Sequence, residues 1–293
     1  MSLDGHRSAY IPDAPAPNSC LRVVRPSTNT VTLSAVEFDV VWRSAGLGGP
    51  PAVLRLASPG RTHTARRRIE AEVWAALGER RPGWGAGADP DLERLLHLLA
   101  EPAIRVEVRA WGTATIRAAL AGETDDAVLA QRSGDAVVLT PCTSLAGATV
   151  AVLGTTRPGP GRAAVVAAVD LEGALRRPTG AGLRTDLVDR GVDPAEAGLI
   201  ARMLDGIDRR AQISVLAPDR LGILRRAGEP LEVLDAPRGR YLTTRCRGAD
   251  GTAWICVAPV DDRRLHHRLS EWFDAARAIS PGRCAASAAG LPP

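Results

Sequence analysis

The feature that most constrains this chain is an element it uses twice. Asp89-Pro90 precedes a stretch with helical apolar spacing (Leu92, Leu95, Leu96, Leu99), and Asp193-Pro194 precedes another (Leu199, Ile200, Met203, Leu204). Aspartate is a good N-cap because its carboxylate accepts from the unpaired amides of the first turn, and proline suits the first helical position. Leu95-Leu96 and Leu199-Ile200 fall at the same offset from the two Asp-Pro pairs. Each predicted helix then runs into an alternating strand, Ile104, Val106 and Val108 in one and Ala211, Ile213 and Val215 in the other. The match continues with a hairpin over Val128–Thr140 turning at Ser133-Gly134-Asp135, and one over Arg240–Pro259 turning near Asp250-Gly251. A proline ends each (Pro141, Pro259), a polar cap follows (Thr143, Asp261), and a helix begins. In the second case that helix places Leu265, Leu269, Trp272, Phe273 and Ala276 on one face. One order used twice predicts a duplicated α+β architecture, with two sheets or one shared sheet and helices packed against it.

The boundaries follow from composition. Residues 1–28 carry Pro12, Pro15, Pro17 and Pro26 and read as a loose tail, and residues 280–293 as a second one. The folded unit spans 29–279, with an N-terminal half at 29–156 and a C-terminal half at 162–279. Pro158-Gly159-Pro160-Gly161 between them reads as a linker. Ser34 with Glu37 forms a predicted capping box, and Leu33 with Phe38 a hydrophobic staple, opening a helix that Gly46 stops. Pro51–Leu56 reads as a short edge strand. A helix is expected over about 65–81, with Ile69, Val73, Ala76 and Leu77 buried and the run Arg66-Arg67-Arg68 largely in solvent.

Composition removes several function classes. All 37 basic residues are arginine, a bias read as GC-rich coding, so a Walker-type lysine, a kinase strand lysine and a lysine Schiff base are all excluded. The arginines are interspersed with acids and not interleaved with aromatics, which argues against nucleic acid as a partner. No stretch approaches the roughly 20 apolar residues of a membrane span, and the polar N-terminus lacks the apolar core of a secretory signal. A cytoplasmic protein without membrane insertion is expected. Five cysteines (Cys20, Cys142, Cys246, Cys256, Cys284) show no metal-ligand spacing. Cys246 and Cys256 flank a hairpin turn and could approach across it, but in a reducing cytosol they read as small buried thiols rather than a disulfide.

No catalytic constellation stands out. G-x-S-x-G, HExxH, the EF-hand loop and the dinucleotide fingerprint are absent from the sequence. Gly46-Leu47-Gly48-Gly49 precedes prolines rather than a helix N-terminus, and Gly83, Gly85 and Gly87 read as a plain loop. His266 and His267 are adjacent on a helix, roughly 100° apart, and do not converge on one metal. His63 and His97 read as structural, and Asp125-Asp126 and Asp261-Asp262 as a turn and a helix start. No catalytic residue, metal ligand or cofactor site is therefore assigned, and a binding protein is expected rather than an enzyme.

Four features together resemble the EspG family, the cytosolic chaperones of ESX (type VII) secretion systems. Val31-Thr32-Leu33-Ser34 leads into a helix with Trp42, then a glycine turn and the Pro-Pro-x-x-Leu segment around Leu54. An arginine-rich amphipathic helix follows. The Asp-Pro helix running into Ile104–Ala110 is third. Fourth, Gly239-Arg240-Tyr241 opens a hairpin with Trp254 that ends in Ala258-Pro259-Val260-Asp261-Asp262 before a helix. The resemblance spans roughly Val31 to Ile279 and implies a pseudo-two-fold α+β fold with a central antiparallel sheet and two helical subdomains. It implies a partner, a PE–PPE-like or other helical secretion substrate kept soluble before export, and a chaperone that is a monomer or weak homodimer. It also implies a partner-binding surface made of the central sheet, an inter-strand loop at Gly122, Glu123, Thr124, Asp125 and Asp126, and the helical subdomain from Leu183 to Ile207, including Met203 and Ile207. That loop is short here, whereas family members often carry a long one. The alternatives are a regulatory or structural partner of the secretion apparatus and, further off, a small-molecule enzyme.

Overall fold

The computed structural model describes residues 30–80, 89–113, 115–123, 126–176 and 182–279. The expected tails at 1–28 and 280–293 and the glycines Gly83, Gly85 and Gly87 lie outside them. The first half runs β1 (Val31–Ser34), α1 (Ala35–Ser44), a 3-10 turn (Ala52–Leu54), α2 (His63–Arg80), α3 (Pro90–Ala100), β2 (Ile104–Gly112), β3 (Ile116–Gly122), β4 (Ala127–Ser133), β5 (Ala136–Cys142) and α4 (Leu145–Leu153). The second runs β6 (Ala164–Ala167), α5 (Ala168–Arg176), α6 (Leu183–Val188), α7 (Pro194–Met203), β7 (Arg209–Pro218), β8 (Leu224–Arg226), β9 (Leu231–Ala236), β10 (Gly239–Arg247), β11 (Ala253–Pro259) and α8 (Asp262–Ile279). Setting aside the 3-10 turn and β8, both halves read strand, three helices, four strands, helix.

Capping chemistry starts the helices where the sequence predicts. The Ser34 hydroxyl accepts from the Glu37 amide at 3.2 Å, and the Glu37 carboxylate accepts from the Ser34 amide at 2.7 Å. Leu33 and Phe38 are both buried beside this box. Asp89 and Asp193 cap α3 and α7, each with proline in the first turn. At α4 the cap is Ser144, not the expected Thr143, since the Ser144 hydroxyl accepts from the Gly147 amide at 3.0 Å.

The strands form one antiparallel sheet, eleven-stranded among the described residues, in the order β1-β5-β4-β3-β2-β7-β9-β10-β11-β6, with β8 added to β7. The two strands that follow the Asp-Pro helices are therefore neighbours at its centre, in register from Arg105↔Leu216 to Gly112↔Arg209. Alternation decides what covers each face. Ile104, Val106, Val108, Ile213 and Val215 point to the side capped by α4 and α8, where Leu153, Leu265, Leu269 and Phe273 meet them. On the opposite side the apolar set is split in two. Phe38, Trp42, Leu77 and Leu92 through Leu99 pack over β3, β4 and β5. Leu171, Leu187, Ile200 and Met203 pack over β9, β10 and β11. Two helical layers thus flank the sheet's middle on this face without closing over it.

Three further sequence expectations need correction. Pro51–Leu56 is not an edge strand; the strand at the edge beside β5 is β1. The segment forms the 3-10 turn instead, plugging Val53 and Leu54 into the first helical layer. In α2, Val73 and Leu77 are buried but Ala76 is exposed, and Arg66 turns inward to pair with Asp39 while Arg67 and Arg68 face solvent. The third concerns Pro158–Gly161, which is a packed strap. The Gly159 amide donates to the Arg240 carbonyl at 3.1 Å, the Arg240 amide donates to the Arg157 carbonyl at 2.8 Å, and the Tyr241 hydroxyl donates to the Pro160 carbonyl at 3.3 Å. A Cβ on Gly159 would stand 2.1 Å from the Tyr241 ring, so the strap approaches as closely as it does only because glycine is there.

Under the strap, Arg240 is fully buried. Its Nε donates to Asp235 Oδ1 at 2.7 Å, Nη1 to Asp262 Oδ1 at 3.1 Å, and Nη2 to the Leu153 carbonyl at 3.2 Å and Thr156 Oγ1 at 3.1 Å. Arg209 shares both Asp235 and the Leu153 carbonyl. One guanidinium therefore ties β9 and β10 to the end of α4 and the start of α8.

Candidate functional site

The uncovered middle of the sheet is the candidate site, and β2 builds most of it. Its buried residues alternate with Arg105, Glu107, Arg109 and Trp111, which point into the gap between the two helical layers. Across β7 the registered neighbours are Leu216, Ser214, Gln212 and Arg210. Glu232 on β9 stands opposite Gln212. The trough is more enclosed at one end than the other. Arg105 and Glu107 side chains are each 12% exposed, whereas Arg109 and Trp111 reach 43% and 45%. At the open end Trp111, Arg210, Gln212 and Glu232 line a hollow of ≈ 440 Å³.

Charge in the trough is only partly balanced. Glu107 sits between Arg105 and Arg109, 3.6 Å from each, and Glu232 pairs with Arg210. Burial lowers the Arg105 pKa, with Glu107 acting in the opposite sense, and Arg105 Nε is buried without a hydrogen-bond partner. Such a surface suits recognition: amphipathic side chains, a half-exposed tryptophan and guanidinium forks. Nothing in it is a poised nucleophile. Elsewhere, burial pushes the Cys142 thiol up to about 11, with the Asp126 charge adding to it, and burial also raises Cys256. Cys246 and Cys256 stand opposite Trp254 and Thr244, not each other, and both are free thiols. Cys246, at the end of β10 beside the hairpin turn, is exposed rather than buried as expected. Among the described residues no group of three or more His, Cys, Asp or Glu is placed to hold a metal. No helix of the described residues is long and apolar enough to cross a membrane.

The sequence-predicted partner residues are not gathered at one point. Gly122 ends β3 opposite Ile104, whereas Ile207 precedes β7 near Gly112, at the other end of β2. Eight strand steps separate those ends, about 26 Å at the usual rise. The described ends of the loop after Gly122 are bonded to each other. The Glu123 amide donates to the Asp126 carbonyl at 3.0 Å, and Asp126 pairs with Arg94 of α3. Thr124 and Asp125 lie outside the described residues. Met203 is 1% exposed and belongs to the core of the second helical layer, so its side chain has no surface to offer. Ile207 is 40% exposed. Sequence reading missed the trough itself. The signal was available: a central strand, Ile104–Trp111, whose alternate positions are arginine, glutamate, arginine and tryptophan leaves one face open.

Comparison with known proteins agrees with this fold. The family model described as the EspG family matches residues 34–271. No curated protein matches. Among solved structures, the chain is similar to the Mycobacterium tuberculosis type VII secretion system chaperone EspG5, solved in complex with a PE25-PPE41 dimer. The TM-score is 0.65 at 15% identity, covering 85% of this chain and 97% of that one. A putative adenylate cyclase from Bacillus halodurans aligns at 10% identity over 74% of this chain and 89% of its own, but its TM-score of 0.09 leaves no common fold to argue from. With the family model matched across both halves and the sheet between them, the chain belongs to the EspG family.

Proposed function

We propose that this protein is a cytosolic, non-enzymatic chaperone of a type VII secretion system that holds a PE–PPE-like helical pair soluble before export. The observation that carries the reading is the open trough of sheet between two helical layers, in a fold shared with a chaperone solved with its PE25-PPE41 dimer. The full length of β2 sets an upper bound on the client helix that the trough accepts. About 26 Å of strand matches roughly 17 residues of α-helix. A helix laid along β2 meets the Gly122–Asp126 turn at one end and Trp111 and Ile207 at the other, in the helix-in-groove manner. The like order of strands and helices in the two halves further supports an origin by duplication.

Co-expression with a PE–PPE pair from the same genome tests the function. The expected outcome is a single species in size-exclusion chromatography with light scattering, of mass equal to one copy of each chain, and a client that precipitates when expressed without this protein. A client that is soluble alone and never co-elutes would remove the chaperone reading. Co-purification with membrane components of the apparatus in place of a helical pair would favour a structural role.

A further inference from the structure

One corner of the trough carries charge that the fold does not neutralise. Arg109 on β2 and Arg117 on β3 are directly opposite each other and project to the same face. Like charges in that relation are destabilising. Arg132 on β4 and Arg55 after the 3-10 turn complete the corner, and burial together with the charges of Arg55, Arg132 and Arg109 lowers the Arg117 pKa. Glu107 is the carboxylate in ion-pair range of Arg109, and it also serves Arg105. Neither Arg117 nor Arg55 has an ion-pair partner among the described residues.

The corner is also held in shape. Arg132 spends its donors on the Leu54, Arg55 and Gly134 carbonyls, bracing the β4–β5 turn against the 3-10 turn. Arg55 has φ of 48°, the left-handed region, and among the described residues it is the sole non-glycine there. Strain and repulsion kept together beside a half-exposed tryptophan mark a place prepared for a ligand.

We propose that Arg55, Arg109 and Arg117, braced by Arg132, form an acidic-segment receptor that selects which helical client this chaperone accepts. This rests on the chaperone reading above. Guanidinium forks pair bidentately with carboxylates, so the client that fits carries aspartate or glutamate on the turn of helix lying over β2 and β3. A phosphate backbone fits less well, because Glu107 and Glu232 line the same trough and, among the described residues, Trp111 is the aromatic side chain that β2 and β7 present to it.

The probe is the PE–PPE pair encoded in the same genome, titrated calorimetrically at 50 and 300 mM salt. For R109E/R117E the expected result is binding at least ten-fold weaker at 50 mM, with a flatter salt dependence. R109K/R117K should keep much of the affinity. R67E, on the solvated side of α2, should bind like wild type. Because R117A removes repulsion, its melting temperature should equal or exceed that of wild type, which separates a recognition role from a structural one. Wild-type binding that R109E/R117E leaves unchanged would overturn the receptor and leave the chaperone intact. Absence of wild-type binding would overturn both. A 20-mer of single-stranded oligo-dT bound more tightly than the protein pair, and lost in R109E/R117E, would overturn the protein-client assignment of the corner.

Discussion

Arg240→Leu is expected to lower the unfolding free energy by about 3 to 5 kcal/mol in a urea titration. The arginine is fully buried, and its removal leaves Asp235, the Leu153 carbonyl and Thr156 short of donors. The penalty is the loss of donors to buried acceptors, which Arg209 on Asp235 and the Leu153 carbonyl only partly offsets, so a well-packed apolar side chain in place of Arg240 does not recover it. The effect should depend on pH in a defined direction. Burial works against the Asp235 carboxylate, but the hydrogen bonds and charges of Arg240 and Arg209 outweigh it and hold its carboxyl below the usual range. The stabilisation is thus complete above the ordinary aspartate value of about 3.9 and fades as pH falls through the depressed folded-state value. The gap between wild type and variant should narrow below about pH 4. A gap that stays constant from pH 7 to pH 3 would show that Asp235 is not the partner that matters.

Gly159→Ala is expected to be destabilising by about 1 to 3 kcal/mol, the usual cost of overpacking. The added methyl meets the Tyr241 ring, whose atoms lie 2.1 to 2.6 Å from the Cβ position, and Tyr241 is itself buried and bonded to the Pro160 carbonyl. Neither side has room to yield without moving the strap off β10. Combined with Tyr241→Leu, the alanine should do markedly less harm than it does alone, because the obstructing ring is gone. An alanine variant as stable as wild type would restore the view of 158–161 as a loose linker.

Local chemistry made much of this fold legible. Ser34-x-x-Glu37, Asp89-Pro90 and Asp193-Pro194 are helix starts whose partners lie within three residues, so sequence alone specifies them. The same holds for the β4–β5 turn at Gly134-Asp135, where Gly134 takes a left-handed conformation. What sequence reading missed depends on distant neighbours. Pro51–Leu56 has strand-like composition, but Val53 and Leu54 are buried in the first helical layer, among residues distant in the chain, from a 3-10 turn. Pro158-Gly159-Pro160-Gly161 has linker composition, and only Tyr241, some 80 residues on, reveals that its glycine is there for contact. The trough was hidden for a related reason. Whether Arg105, Glu107, Arg109 and Trp111 face solvent or a third layer is decided by helices far away in the chain. Placing the partner surface at Gly122–Asp126 and Met203 followed the resemblance. The fold buries the second of these and ties the first to α3 through Asp126 and Arg94.

Site-specific photocrosslinking tests the central claim, that the client lies in the trough, most directly. A photoreactive residue is placed at Trp111, at the open end of the trough, or at Val165, half exposed on the far edge strand β6. Each variant is co-expressed with the PE–PPE pair from the same genome and irradiated. The account predicts a covalent adduct to the helical client from position 111 and none from position 165. An adduct from position 165 with none from position 111 would contradict it, placing the client on the sheet edge and leaving the trough without a role.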